Sequence, residues 1–166
     1  WSSIYVGNTC LAIKTDGTLW AWGNNGAGAV GDGTTTNRSS PVQVGALTTW
    51  YVIGASSGAS FAIKTDGTLW SWGNNATGDL GLGNLTYYSS PKQVGALTTW
   101  SFIGARSASV SVLKTDGTIW SWGNGFAGGL GTGNTTNRSS PVQVGTSTTW
   151  SKISSTSAGN FSLALG

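Results

Sequence analysis

The chain contains no histidine, no glutamate and no methionine, and only one cysteine and three prolines among its 166 residues. Each absence removes a class of chemistry. Without His there is no Ser-His-Asp arrangement, and Cys10 has no His to activate it as a nucleophile. The acids number five, Asp16, Asp32, Asp66, Asp79 and Asp116. Glycoside hydrolysis needs a carboxylate pair with one general acid, and three of these five sit in a repeated turn. Neither a P-loop pattern nor a metal-ligand cluster occurs. A single Cys rules out an internal disulfide, and Thr9-Cys10-Leu11 reads as a small buried hydrophobe. No apolar run approaches the ~18 residues of a membrane span. The expectation is no enzyme, no cofactor and no metal.

Charge is scarce as well. Charged residues make up 8%, and the net +3 comes from missing acids rather than many bases. No run of Lys or Arg exists, so a nucleic-acid footprint is not expected. No signal peptide is visible and the chain starts at Trp1, which reads as a processed N-terminus or a window on a longer chain.

What the chain holds in quantity is glycine, 27 residues, and tryptophan, 10 residues. Both are placed periodically. Ile13 to Asn25 reads IKTDGTLWAWGNN, Ile63 to Asn75 reads IKTDGTLWSWGNN, and Leu113 to Gly125 reads LKTDGTIWSWGNG, a spacing of fifty residues. The flanks repeat too, as in GTTTNRSSPVQVGALTTW at 33–50. A period of this length marks solenoids, propellers or arrays.

Within one period the pattern is all-β. Residues 1–13, 50–63 and 100–113 each read as strand, small-residue turn, strand. The first is one residue shorter, so this loop tolerates length change. Asp-Gly then predicts a type I′ hairpin turn. In the next strand Trp20 and Trp22 project to one side, as do Trp70/Trp72 and Trp120/Trp122, and core packing is their first reading. A Gly-rich connection leads to Ser-Ser-Pro, and the fourth strand is placed just after Pro, at 42–44, 92–94 and 142–144. Ser151 to Gly166 is a decayed fourth repeat, in which Phe161-Ser162-Leu163 matches Phe61-Ala62-Ile63. One domain over 1–166 is expected, with repeats of about 1–49, 50–99 and 100–149 and a partial one at 150–166.

Four strands per unit of about fifty residues fit a β-propeller blade. Asp66-Gly67, Leu69-Trp70-Ser71-Trp72-Gly73-Asn74, Gly78-Asp79-Leu80-Gly81-Leu82-Gly83 and Pro91 together resemble the RCC1 (regulator of chromosome condensation) repeat family. The third repeat matches through Asp116-Gly117, Trp122-Gly123 and residues 128–133, and the first departs by Val30 where the others carry Leu. The resemblance implies mostly seven-bladed propellers that act as interaction platforms, the eponymous member exchanging nucleotide on a small GTPase and docking on nucleosomes. Near-identity of the repeats suggests recent duplication, a pattern expected in bacteria or phage. Three blades do not close a ring of the usual 4–8. Upstream sequence of a larger parent chain, or other chains in self-assembly, are expected to complete it.

Binding sites are sought where one repeat departs from the others. Residues 37–38 and 137–138 are Asn-Arg but 87–88 are Tyr-Tyr, and Lys92 replaces Val42 and Val142. Asp79, Arg106 and Phe126 are private in the same way. Neutral drift on a solvated surface accounts for such differences. The functional alternative makes Arg38, Tyr87, Tyr88, Lys92 and Arg138 one loop-side binding face, since Tyr and Arg are common interface anchors. The leading expectation is a structural or adhesive module, extracellular or virion-associated, as a fibre or capsid decoration bound to other protein chains. The alternatives are a lectin-like binder of surface glycans and a regulator of a small GTPase or chromatin.

Overall fold

The computed structural model describes residues 1–155 and 162–165. The first sheet comprises β1 (Ser3–Tyr5), β2 (Thr9–Ile13), β3 (Leu19–Gly23) and β4 (Arg38–Gln43), in that order and antiparallel throughout. The second repeats it with β5 (Trp50–Ala55), β6 (Ala59–Lys64), β7 (Leu69–Gly73) and β8 (Tyr88–Gln93). The third comprises β9 (Trp100–Arg106), β10 (Ser109–Lys114), β11 (Ile119–Gly123) and β12 (Arg138–Gln143). A two-stranded sheet, β13 (Lys152–Ser155) and β14 (Ser162–Leu165), follows. The match of Phe161 to Phe61 lies outside the described residues. Among them the one helical turn is a 3-10 turn at Phe126–Gly128.

Successive sheets stack face to face, with β1, β5, β9 and β13 adjacent to one another and therefore innermost. The inner strands approach closely enough that a Cβ on Gly54 would lie 2.7 Å from the Ile103 side chain, and one on Gly104 2.9 Å from Ile153. Strand alternation gives each sheet two apolar faces, so each seam is a core. Leu11, Ile13, Leu19 and Val44 of the first sheet bury against Trp50, Ala62 and Trp72 of the second. Phe61, Ile63, Leu69 and Leu80 bury against Ile103, Val112 and Trp122 of the third. Residues buried on both faces of a sheet are what a stacked array requires.

Indole hydrogen bonds latch the seams. Trp72 Nε1 donates to the Ala29 carbonyl at 2.8 Å, and Trp122 Nε1 to the Asp79 carbonyl at 2.9 Å. The Gly-rich loop of one blade thus accepts from the third strand of the next. Gly31 and Gly81 sit at φ +83° and +70° directly against those rings, where a Cβ would fall within 2.8 Å of the indole nitrogen.

Two expectations are corrected. The Asp-Gly hairpins are not type I′: Gly17 N–H donates to Lys14 O at 2.9 Å, and of the turn residues only Gly17 has positive φ. This is a type I turn followed by a left-handed glycine, the three-residue alternative that Asp-Gly also satisfies. The fourth strand begins before Pro, at Arg38, Tyr88 and Arg138, so Pro41, Pro91 and Pro141 lie inside it. The ladder breaks register between Ala21 and Gly23 to admit the proline, which is tolerated on an outer edge strand.

Candidate functional site

Each hairpin turn builds the same polar relay. Asp16 Oδ1 accepts from the Thr18 N–H (3.0 Å) and hydroxyl (2.7 Å), and the Thr18 hydroxyl accepts from Trp20 Nε1 at 2.9 Å. The second and third repeats copy it through Asp66 and Asp116. The Thr118 hydroxyl and N–H, with Lys114 beside them, bring the Asp116 carboxyl down to about 2. Lys14 and Lys64 each sit 3.8 Å from the centroid of Trp20 and Trp70 respectively. These aspartates and lysines shape turns and cover aromatic faces.

The sequence-derived site residues occupy the outer strands of three different blades. Arg38, Tyr88 and Arg138 are equivalent, each opening its strand opposite Gly23, Gly73 or Gly123. Arg38 is committed locally: its Nε and Nη2 both lie 2.6 Å from Asp32 Oδ2. Burial pushes the Asp32 carboxyl up, but hydrogen bonds from Thr34 and Arg38 outweigh it and hold the carboxyl below its ordinary value. The second repeat changes the whole set together. Leu82 replaces Asp32, Asn84 replaces Thr34, and Tyr88 replaces Arg38, with Asn84 Nδ2 3.5 Å from the Tyr88 hydroxyl. Tyr88 and Leu82 pack against the seam core.

The third repeat keeps the arginine but carries Thr132 in place of the acid. Its Arg138 Nε is buried with no hydrogen-bond partner among the described residues. Thr132→Asp is therefore expected to rebuild the pair and raise stability by about 0.5–1 kcal/mol. Urea denaturation of the single variant checks this.

Tyr87 differs from the other candidates. Its counterparts Asn37 and Asn137 accept from the backbone N–H of Asn25 and Gly125. Tyr87 is 48% exposed and Leu85, two residues before it, 59%, both in the loop that leads into β8 on the rim of the second blade. Lys92, exposed on the same strand, lies 5.4 Å from the Tyr88 ring centroid. Leu85 was missed by sequence reasoning, although its counterparts Thr35 and Thr135 make it the one apolar residue at this loop position.

Two buried polar features were also missed as sites of constraint. Asn75 is fully buried; its Oδ1 accepts from Leu80 N–H at 2.9 Å, and its Nδ2 donates to the carbonyls of Asn84 (2.9 Å) and Thr86 (3.0 Å). Asp79 is buried at the seam between the second and third blades, where it accepts from the Thr77 hydroxyl at 2.6 Å. Burial pushes the Asp79 carboxyl above its ordinary value despite the hydrogen bonds from Thr77. For an acid with a raised folded-state pKa, the stabilising contribution is present below the unfolded pKa and lost as pH rises through the folded one. Asp79→Ala, which installs the residue of position 29, is expected to raise Tm at neutral pH. Below about pH 3 the two proteins should melt alike. Thermal melts across pH check this.

Among the described residues no cluster of three His, Cys, Asp or Glu comes together, and no helix is long and apolar enough to cross a membrane.

Four-stranded sheets stacked about their first strands, latched by indoles, define the blades of a β-propeller. The chain belongs to the RCC1 repeat family, the Regulator of chromosome condensation repeat, whose model matches residues 16–63, 66–109 and 116–165. Each match starts at or next to a hairpin aspartate and runs into the first strands of the next blade, so every match contains a seam. Among curated proteins none matches the chain's sequence. Solved structures do match. Prp20p of Saccharomyces cerevisiae, described with its binding to Gsp1p and histones, has a TM-score of 0.77 at 22% identity over 87% of this chain and 38% of its own. Yeast RCC1 (Prp20) bound to Kap60 gives 0.78 at 21% identity, over 87% and 37%. Human WBSCR16 gives 0.77 at 20% identity, over 90% and 42%. The chain thus spans about two-fifths of these structures. The expected extracellular or virion-associated location is corrected here: relatives whose partners are histones, Gsp1p and Kap60 point away from it.

Proposed function

We propose that this chain is a non-enzymatic part of an RCC1-type propeller, one repeat domain that binds a protein partner through the rim of its second blade. The observation that carries the reading is that Leu85 and Tyr87 are both exposed in the loop before β8, where the other blades place Thr and a loop-bonding Asn. Tyr88 and Lys92 extend the patch along β8, giving an aromatic centre with a cationic edge, the composition of an interface anchor. Arg38, paired with Asp32, and Arg138 stand at the equivalent places on the flanking blades and mark its margins. Protein partners are supported by the family and by what its solved members bind. Glycan binding and self-assembly find no such support. The relatives' partners supply the probes, a histone octamer and a small GTPase of the Gsp1p kind. Titration calorimetry is expected to show binding to one of them, weakened at least about tenfold in Leu85→Ala/Tyr87→Ala. Binding that is unchanged in this variant, or absent to both probes, overturns the proposal. Accelerated nucleotide release from the GTPase would replace the non-enzymatic reading with that of an exchange regulator.

A further inference from the structure

The hairpin turn of the second blade packs against the segment that enters the third, and backbone bonds tie the two. Trp100 N–H donates to the Gly67 carbonyl at 3.2 Å, and Thr115 N–H to the Thr99 carbonyl at 2.8 Å. The same segments line a cavity of about 430 Å³, a size that suits a small ligand. Ile63 and Trp100, both buried, give it an apolar side. Tyr51 also lines it and is 68% exposed. That residue stands at a β-bulge: Trp50 pairs with Lys64 and Val52 with Ile63, which leaves Tyr51 without a cross-strand partner. A bulge re-aims a side chain, and bulges recur beside functional sites. The third blade builds the same bulge with Ser101, and the other repeats place Ser2 and Ser151 there. The strand itself therefore has no need of an aromatic ring.

Asp66 brings a carboxylate to the same cavity. Its Oδ1 takes the Thr68 hydroxyl (2.6 Å) and N–H (2.9 Å), and these bonds hold the carboxyl below its ordinary value. In the third blade Asp116 Oδ2 is paired with Lys114 at 3.2 Å. Lys64 instead lies over the Trp70 ring, 3.8 Å from its centroid. Asp66 is exposed, and its Oδ2 is left without a hydrogen-bond or ion-pair partner among the described residues. Thr65, Thr98 and Thr115, all exposed, add hydroxyls that both donate and accept. A pyranose ring has an apolar C–H face and a belt of hydroxyls around its edge. The face suits an aromatic ring, and the belt suits a carboxylate set among threonine hydroxyls.

We infer that this cavity is a saccharide site, which takes one pyranose ring against Tyr51 with its hydroxyls on Asp66 and the threonines. The lining carries this inference, and the relatives do not enter it. It uses none of the rim residues Leu85, Tyr87, Tyr88 and Lys92, so either proposal can fail while the other stands. Methyl glycosides of glucose, galactose, mannose and N-acetylglucosamine are the probes, read by saturation-transfer NMR and by shifts of the amide resonances of residues 64–67. At least one of them is expected to bind, with a dissociation constant in the millimolar range. Tyr51→Ser, which carries the third blade's own residue, should weaken that binding about tenfold. Tyr51→Phe keeps the ring and should keep most of the affinity, while Asp66→Asn should lose part of it. A glycoside that binds as tightly as a trisaccharide ending in it assigns a free sugar, and a tighter trisaccharide assigns the end of a glycan chain. No binding of any probe by the wild-type chain, or equal binding by Tyr51→Ser, overturns the inference.

Discussion

Replacing Trp122 by alanine is expected to cost about 3–5 kcal/mol of stability, while in residues 1–166 taken alone, where no blade packs on the first sheet, the same replacement at Trp22 costs well under half as much. The two residues occupy equivalent positions of equivalent strands, β3 and β11. They differ in what lies against them. Trp122 is fully buried, packed against Phe61 and Leu80 of the preceding blade, and bonded to the Asp79 carbonyl. Trp22 lies on the half-buried outer face of the first sheet, with no hydrogen bond to a preceding loop among the described residues. Removing Trp122 therefore opens a cavity at a seam and strands a carbonyl. Removing Trp22 mainly exposes its own sheet. In an array whose blades contact only their neighbours, seam energies carry the cooperativity. Urea denaturation should accordingly broaden for Trp122→Ala and keep its slope for Trp22→Ala. Equal losses at the two positions would mean that the strand, and not the seam, sets the value of the tryptophan.

Asn75→Ala is the second large effect, a loss of about 2–4 kcal/mol. The side chain takes one backbone N–H and supplies two carbonyls across the loop from 75 to 86, and the amide itself is fully buried. Alanine leaves these three backbone groups to find other partners. Asn75→Asp should be worse, because a carboxylate cannot donate to the carbonyls of Asn84 and Thr86. The third blade shows the alternative solution: Gly125 stands at this position and the Thr136 carbonyl closes in, to where a Cβ would be 2.3 Å away. Limited proteolysis between residues 76 and 87 measures the loss directly. Wild-type resistance in Asn75→Ala would show that the loop holds its shape without the amide.

The blade was legible because its signals are periodic and redundant. Strand alternation put Trp70 and Trp72 on one face, and the structure adds that this face meets the preceding blade. The hairpin was legible as a turn but not as its type, since Asp-Gly serves both the type I′ turn and the type I turn with a left-handed glycine. Pro41 argued for a strand starting after it, and only the edge position of β4 lets the strand run through. Among the candidate site residues, the partners of Arg38 and Tyr88 could have been found by comparing repeats. Asp32 and Arg38 change together into Leu82 and Tyr88, the signature of side chains that touch. Asn75 gave no such signal, because a buried amide and a solvated one look alike in sequence. A chain low in charge and rich in Thr, Ser and Asn suggests an extracellular module, but that composition reports solvation and carries no address.

The most direct test of the proposed interaction surface is hydrogen–deuterium exchange of the chain with and without whichever of the two probes binds. The account predicts added protection confined to residues 84–93, the loop and outer strand of the second blade. Protection at the connections 6–8, 56–58 and 107–108 or across the seams, with 84–93 unchanged, would contradict it.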